Sequence, residues 1–306
     1  MQILVPLDGS PFAESAIEPA AALLRRAASP NTLTFVRIIS PGSVAPDFTG
    51  FVPPVTESAF QAAIEGGKSY LAQVATRRPL HGIRVATVTQ LGSDTAGDIC
   101  QLARELAVDL IVMTSHARTG IAHFALGSVA EAVLRGTTIP TLLLHRDSTS
   151  FPSTNRDEPL TILVPLDGSP MAETVLAPVI QLAAQVRGAI RVVRVLPMHT
   201  SATPTERMLV ETTQRYFAAL RAKVEGAGVP MYETLAWGDP VERITAVAQQ
   251  YQTDLIAMAT HGRTGLTRLR DGSITLDVLH HLATPLFVMH PSAAVVTAPA
   301  PLSVIG

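Results

Sequence analysis

Short aliphatic runs alternate along the chain with longer segments in which apolar residues recur every three or four positions. A run such as residues 110–113 is apolar throughout, as in a strand buried on both faces, whereas the longer segments have the period of a helix with one buried face. This alternation predicts a parallel sheet covered by helices on both sides. In the first half of the chain, the predicted strands are 3–7, 33–39, 84–90, 110–113 and 141–145, and the predicted helices are 10–28, 57–76, 96–107 and 128–134.

The second half of the chain repeats this order of elements. Its predicted strands are 162–166, 190–196, 232–236, 254–258 and 285–289, and its predicted helices are 169–186, 206–225, 240–251 and 273–281. The repeat extends to the sequence itself, because Ile3-Leu-Val-Pro-Leu-Asp-Gly-Ser-Pro11 recurs at residues 162–170. The two copies of this motif are 159 positions apart, whereas His116 and the corresponding His261 are 145 positions apart. The stretch between the motif and the histidine is therefore 14 residues longer in the first half than in the second. We assign the excess to an inserted surface loop at residues 41–54, which are rich in proline and glycine.

The repeat predicts an α/β protein of two doubly wound parallel-sheet domains. We expect domain 1 at residues 1–147, a linker at 148–159, domain 2 at 160–291 and a tail at 292–306, and we call the two domains the first and second copies. The linker is polar and contains prolines, as is usual at a domain boundary. Ligands of such sheets bind at the carboxyl ends of the strands, where the strand order changes direction.

Composition narrows the classes of function. The 306 residues are 47% apolar and 16% charged, and the net charge of −2 gives no indication of binding to nucleic acid or to an acidic membrane. No apolar run approaches the ~20 residues of a membrane-spanning helix. The sequence begins directly with a predicted strand, so we expect a cytoplasmic protein. Cys100 is the single cysteine, which excludes an intramolecular disulfide, and we expect it to be buried on a helix.

The turns Asp8-Gly9-Ser10 and Asp167-Gly168-Ser169 follow the first strand of each copy. A carboxylate at such a strand end can accept hydrogen bonds from a ribose or a base. The same residues can equally satisfy the amides of the turn and cap the next helix. The sequence leaves both interpretations open.

A second candidate element is the helix that begins after Gly127. Ser128-Val-Ala-Glu131 has the spacing of a capping box, in which the serine accepts from the amide of Glu131 and the glutamate reaches back. The amino end of this helix has free amides and a positive dipole, next to a glycine that permits close approach. It therefore predicts an anion site, most simply for phosphate. Gly272-Ser273 stands at the corresponding place in the second copy.

These motifs resemble the universal stress protein family, which has an adenine nucleotide alpha-hydrolase-like fold. The resemblance rests on Val-Pro-Leu-Asp-Gly-Ser, on the His-Ala/Gly-Arg-Thr-Gly loop and on Gly-Ser-Val-Ala-Glu at the last helix. ATP-binding members carry Gly-x-x-Gly, nine residues and then Gly-Ser or Gly-Thr. The first copy keeps this spacing and its final Gly-Ser, but has Thr114 and Ala117 at the proximal glycines. The second copy has Ala259 in place of the first glycine and keeps the other three positions.

The resemblance implies ATP as the ligand, with or without Mg. In the first copy it places Pro6, Leu7, Asp8 and Ile38 around adenine, and Met113, Ala117, Gly127, Ser128, Val129 and Ala130 around the ribose and phosphates. In the second copy the corresponding residues are Asp167, Val195, Met258, Gly262, Gly272, Ser273, Ile274 and Thr275. We favour the first copy, because Asp271 would place a like charge beside the phosphates of the second. Arg268 and Arg270 partly offset that charge, so both sites stay open.

We expect neither catalytic residues nor a metal site. His116 and His261 fit loop residues held by backbone carbonyls better than catalytic bases, and the adjacent His280 and His281 would point in different directions on a helix. Arg118 and Arg263 fit phosphate contacts and solvent-exposed positions equally well. The Gly-x-x-x-x-Gly-Lys-Ser/Thr motif of P-loop nucleotidases is absent from the sequence.

Three functional hypotheses follow. The first is an ATP-binding protein that acts as a nucleotide-dependent regulatory module in stress response, with an unknown protein partner. The second is a nucleotide-independent scaffold whose altered glycines have closed the sites, and the third is a weak ATP hydrolase or autophosphorylating protein. Single-copy family members pair through their last strands, so the resemblance implies that residues 141–145 and 285–289 pair as an internal pseudo-dimer. We also expect two chains to associate as a dimer of tandems.

Overall fold

The structure is a computed structural model that describes residues 1–28, 30–40, 57–77, 80–115, 126–145, 151, 158–198, 204–260, 278 and 284–290. It confirms the alternation of strands and helices. The elements of the first copy are β1 (Gln2–Pro6), α1 (Pro11–Glu14), α2 (Ile17–Arg26), β2 (Thr32–Ile39), α3 (Glu57–Ala75), β3 (Arg84–Leu91), α4 (Thr95–Glu105), β4 (Leu110–Thr114), α5 (Ser128–Gly136) and β5 (Thr141–Leu144).

The second copy has the same order. Its elements are β6 (Leu160–Pro165), α6 (Pro170–Glu173), α7 (Leu176–Val186), β7 (Gly188–Leu196), α8 (Pro204–Glu225), β8 (Met231–Trp237), α9 (Pro240–Gln250), β9 (Leu255–Ala259) and β10 (Leu286–Met289). The predicted helix at 273–281 lies outside the described residues, apart from Val278.

The long first helix predicted in each copy is instead two helices, and proline is the reason. Pro19 in α2 has no amide to donate to the carbonyl of Ser15, and its ring would clash with that carbonyl. The first helix accordingly ends at Glu14, with Ser15 as its C-cap. Pro178 in α7 has the same relation to Thr174, which is the C-cap of α6.

The strands form one ten-stranded sheet in the order β3-β2-β1-β4-β5-β10-β9-β6-β7-β8. Within each copy the pairs are parallel, whereas β5 and β10 pair in antiparallel fashion and join the two halves. Their register places Leu286 opposite Leu143 and Phe287 opposite Leu142. The predicted doubly wound halves, paired through their last strands, are therefore confirmed.

Alternate strand positions pack on opposite faces of the sheet. Ile3 and Phe35 belong to the core that α2, α3, α7 and α8 cover, whereas Leu4 and Ile111 belong to the core under α4, α5 and α9. Cys100 lies in this second core and is 2% exposed, which confirms its predicted burial. We refer to the two sides as the α2 face and the α4 face.

Candidate nucleotide site

A crevice opens between β1 and β4 at the carboxyl edge of the first copy. The chain proceeds from β1 to β2 and β3 on one side, whereas β4 and β5 lie on the other, so the strand order reverses between β1 and β4. The pairing of β1 with β4 ends at Leu4 and Ile111, although β1 stays paired with β2 through Pro6 and Val36. The two strands therefore separate where a doubly wound sheet binds its ligand. The second copy has the same arrangement between β6 and β9.

The turn after β1 uses part of Asp8 for its own structure. Oδ1 of Asp8 accepts a hydrogen bond from the amide of Ser10 at 2.8 Å, and Oγ of Ser10 accepts from the amide of Ala13 at 3.1 Å. Gly9 has φ of +89°, a conformation that favours glycine. Asp8 is exposed, so its second carboxylate oxygen stays accessible to a ligand.

The second copy reproduces this turn. Asp167 accepts from the amide of Ser169 at 2.8 Å, Ser169 accepts from the amide of Ala172 at 3.1 Å, and Gly168 has φ of +83°. The structural interpretation of the Asp-Gly-Ser turn thus holds in both copies for the serine and for one oxygen of the aspartate. The other oxygen of each aspartate has no role in the turn and can accept a hydrogen bond from a ligand.

Several of the residues predicted to surround the nucleotide share the α4 face. Met113 and Ala130 are buried there, Ile38 packs against them half-buried, and Pro6 occupies the alternate position to Leu4 on β1. Val195 and Met258 have the same placement in the second copy. Leu7 differs, because its side chain is 3% exposed and belongs to the core on the α2 face. Leu7 can therefore offer a ligand only its backbone.

The amino end of α5 begins at Gly127 but does not form the predicted capping box. Gly127 is the N-cap, and no side chain caps the helix among the described residues. Ser128 is the first helical residue, so its hydroxyl is one position too late to act as the cap. The carboxylate of Glu131 pairs instead with Arg135, one turn further along. The prediction of the box was wrong, and the consequence is a helix end with uncapped amides, which suits an anion better.

The predicted residues of the two glycine loops lie outside the described residues. This holds for Ala117, Gly262, Gly272, Ser273, Ile274 and Thr275, and equally for His116, Arg118, His261, Arg263, Arg268, Arg270, Asp271, His280 and His281. In the first copy, Ser128 and Val129 are described and exposed at the start of α5. The preference for the first copy therefore stays a prediction.

A polar cluster behind the Asp8 turn was not predicted. The guanidinium of Arg37 lies 4.9 Å from the ring centroid of Tyr70, and its Nη1 would be 3.0 Å from a Cβ at Gly9. The hydroxyl of Tyr70 donates to Oε1 of Glu14 at 2.8 Å, and Arg77 contacts Oε2 at 2.7 Å. The cluster joins β2, α3 and α1 on the α2 face, so it fixes the turn from the side opposite the crevice.

Contacts within this cluster shift the pKa values of Glu14 and Tyr70. The hydrogen bond from Arg77, more than any other contact, lowers the pKa of Glu14 below its ordinary value. Burial, and then the hydrogen bond to Glu14, raises the pKa of Tyr70. Glu14 is thus held as a carboxylate and Tyr70 as a neutral phenol.

The repeat could have revealed this cluster. Glu173 follows Asp167 by six residues, as Glu14 follows Asp8. The guanidinium of Arg194 lies 5.3 Å from the ring centroid of Tyr216, and its Nη1 would be 3.2 Å from a Cβ on Gly168. Arg194 thus corresponds to Arg37, and Tyr216 corresponds to Tyr70. The available signal was a glutamate at the same distance after the Asp-Gly-Ser turn in both copies, together with an arginine on the second strand and a tyrosine on the following long helix of each.

Among the described residues, no three His, Cys, Asp or Glu side chains gather in a way that could hold a metal ion. Within the described residues, no helix combines the length and the apolar character needed to cross a bilayer.

A cavity of about 270 Å³ lies at the amino edge of the sheet, between Asp109 and Pro140 of the first copy and Gln181 and Gln185 of the second. It is at the end of the strands opposite the crevice.

Comparison with known proteins identifies relatives over both copies. The model of the universal stress protein family matches residues 1–145 and again 160–290. A universal stress protein of Mycobacterium tuberculosis is 27% identical over 198 residues, which is 60% of this chain and 62% of the relative, so the match spans less than two thirds of that protein. A second from the same species is 23% identical over 328 aligned positions, 94% of each chain. The crystal structure of a universal stress protein from Archaeoglobus fulgidus superposes with a TM-score of 0.69 at 17% identity, covering 94% of this chain and 98% of that one.

Proposed function

The chain belongs to the universal stress protein family, as a tandem of two copies, and we propose that it is an ATP-binding module whose principal nucleotide site lies in the first copy. The observation that supports this most is the uncapped amino end of α5, at the carboxyl edge of the sheet beside the crevice between β1 and β4. A helix terminus with unpaired amides and a positive dipole end binds phosphate without further cationic residues.

Each part of the nucleotide has a partner in this proposal. The base contacts Pro6 and Ile38, which are apolar and half-buried, and the buried Met113 lies on the same face of the sheet. The ribose hydroxyls donate to the free oxygen of Asp8. The phosphates accept from the amides of residues 128–130 at the start of α5. Because the described residues contain no metal cluster, Mg would be held chiefly by the phosphates and water, as is common for this ion.

The biological role that we propose is nucleotide-dependent regulation in stress response, through a protein partner that recognises the loaded form. The described part of the site offers groups that position a nucleotide, namely the free oxygen of Asp8 and the amides at the start of α5, so we propose binding rather than efficient hydrolysis. We further propose a cytoplasmic location and a dimer of tandems. A mass of one chain by light scattering, at all concentrations tested, would exclude the dimer.

The first experiment is to denature the purified protein and identify any released nucleotide by mass spectrometry, followed by calorimetric titration with ATP. We expect one ATP per chain, lost in Gly127→Asp and retained in Gly272→Asp. Loss in Gly272→Asp alone would assign the site to the second copy. Absence of both carried nucleotide and binding at millimolar ATP would refute the proposal and favour the scaffold. Phosphate release that disappears in Asp8→Ala would favour the weak hydrolase.

A further inference from the structure

The two copies differ in charge at one position beside their candidate base sites. In each copy a glycine follows the third strand, Gly92 after β3 and Gly238 after β8, and the next helix is capped by an aspartate. The fourth residue after that cap is Asp98 in the first copy and Arg243 in the second. Each directly precedes a buried isoleucine, so the two positions are equivalent.

Both side chains lie against their glycine. A Cβ placed on Gly92 would be 1.8 Å from Oδ2 of Asp98 and 2.9 Å from Cγ2 of Ile38. A Cβ placed on Gly238 would be 3.3 Å from Nε of Arg243. Since Ile38 is one of the residues proposed to contact the base, Asp98 lies at the base end of the first site. Arg243 lies against Gly238, whose amide donates to the carbonyl of Leu196 at the end of β7, so it occupies the corresponding end of the second site.

Neither buried polar atom is satisfied by the described protein. Oδ2 of Asp98 and Nε of Arg243 are both buried, and neither has a hydrogen-bond partner among the described residues. The nearest carboxylate oxygen recorded for Arg243, from Glu242, is 3.9 Å from its Nη2. The side chain of Arg243 is 44% exposed, but its Nε is a buried donor without a partner in the described part of the chain, as Oδ2 of Asp98 is a buried acceptor without one. An unpaired buried polar atom is unfavourable, and a cation in the first turn of a helix also opposes the dipole. A bound ligand could supply the missing partner in each copy.

We propose that Asp98 and Arg243 determine which base each site accepts, so that the first copy selects a purine with an amino group at position 6 and the second selects one with a carbonyl there. The inference rests on the proposed nucleotide binding and extends it to specificity. A carboxylate accepts from an amino group and cannot donate to a carbonyl, whereas a guanidinium donates and cannot accept. Arginine is accordingly the usual reader of the O6 and N7 acceptors of guanine.

The test compares ATP with inosine triphosphate, in which a carbonyl replaces the 6-amino group and N1 carries a hydrogen. The first site is measured in Gly272→Asp and the second in Gly127→Asp, by calorimetric titration with each nucleotide. We expect the first site to prefer ATP by about tenfold, in the range that one good base contact provides, and the second to prefer inosine triphosphate. Asp98→Asn, which is nearly isosteric, should bring the ratio of ATP to inosine triphosphate affinity at the first site close to one. Arg243→Asp should make the second site prefer ATP.

The outcomes separate the two proposals. If the wild-type chain binds neither nucleotide, the proposed function fails and this inference fails with it. If nucleotide binds but the ratios are equal in the two copies and unaffected by Asp98→Asn and Arg243→Gln, the inference alone is overturned. Arg243→Gln retains most of the side chain without its charge, so it provides a second measurement if Arg243→Asp does not fold.

Discussion

Replacing Gly127 with aspartate should stabilise the protein and weaken ATP binding at the same time. Gly127 is the N-cap of α5, with φ of −58° and ψ of 144°, angles that any residue adopts at a helix start. An aspartate there can accept from the amide of Val129 or Ala130. These are the groups that we assign to the phosphates, so cap and ligand compete for the same donors.

The two effects can be estimated separately. Aspartate gains a few tenths of a kcal/mol over glycine as a cap and ~0.3–1 kcal/mol from the helix dipole, so we expect about 1 kcal/mol in all. For a domain of this size, that corresponds to an increase of about 2–4 °C in Tm. A carboxylate about 4 Å from a phosphate charge costs ~1 kcal/mol in water and ~4 kcal/mol at an effective dielectric constant of 20. ATP affinity should therefore fall by a factor between about 5 and 1000.

Thermal melts without ligand and calorimetric ATP titration measure the two effects on one preparation. Gly127→Asn is the matched control, because it caps the helix equally well but adds no charge. It should raise Tm by less than Gly127→Asp, since it gains the cap without the charge at the helix dipole, and it should lose much less affinity. A destabilised Gly127→Asp, or one that binds ATP as the wild type does, would refute the assignment of the phosphates to this helix end.

Three further substitutions or reactions test the packing around the site. Glu14→Gln should lower the free energy of unfolding by about 1 kcal/mol at pH 7, measured with urea, because it removes the charge from the hydrogen bond with Arg77. The loss is no larger because Arg77 is partly exposed and solvent screens the pair. Because the folded-state pKa of Glu14 is lowered, its contribution is present above the unfolded pKa and lost as pH falls through the folded value, so the variant should lose less stability on acidification. The exposed Glu65→Gln should change neither quantity. Burial raises the pKa of Cys100, so a thiol reagent should label it only as fast as the chain opens, and rapid labelling of native protein would contradict its placement. Phe287→Ala, which empties a buried position where β5 and β10 meet, should cost ~3–5 kcal/mol in urea unfolding, whereas Met208→Ala on an exposed surface should cost little; equal costs would count against the joined sheet.

The strands were predictable because a parallel strand buried on both faces leaves a continuous aliphatic run. All ten were located within a few residues, and the exact repeat of nine residues determined the tandem organisation. The breaks in the first helix of each copy were also available from the sequence. Pro19 and Pro178 each lie four residues after the C-cap of the short first helix, but the helical period of the apolar residues continues across both breaks.

The polar details were harder to predict, because they depend on competition between partners. Glu131 had the spacing of a capping box, but Arg135 stands one turn away on the same helix and takes the carboxylate. Arg37 lies on a buried strand, and its neighbours, Tyr70 of α3 and the turn at Gly9, are distant from it in sequence. Asp98 and Arg243 could not be recognised as candidates from the sequence. The fold shows that Asp98 lies against Gly92, beside Ile38 of the candidate base site.

The pattern of similarity between the copies makes exchange of residues between them informative. Both copies have the same turn, with equal hydrogen-bond lengths, and the same stack of arginine on tyrosine behind it. Two of their differences lie beside the proposed nucleotide sites, in the residue that faces Gly92 or Gly238 and in the sequence before the last helix of each copy. Because the supporting structure is shared, a change in base preference on exchanging Asp98 and Arg243 cannot be attributed to a different scaffold. Each copy therefore serves as the structural control for the other, and specificity that follows the exchanged side chain must originate in it.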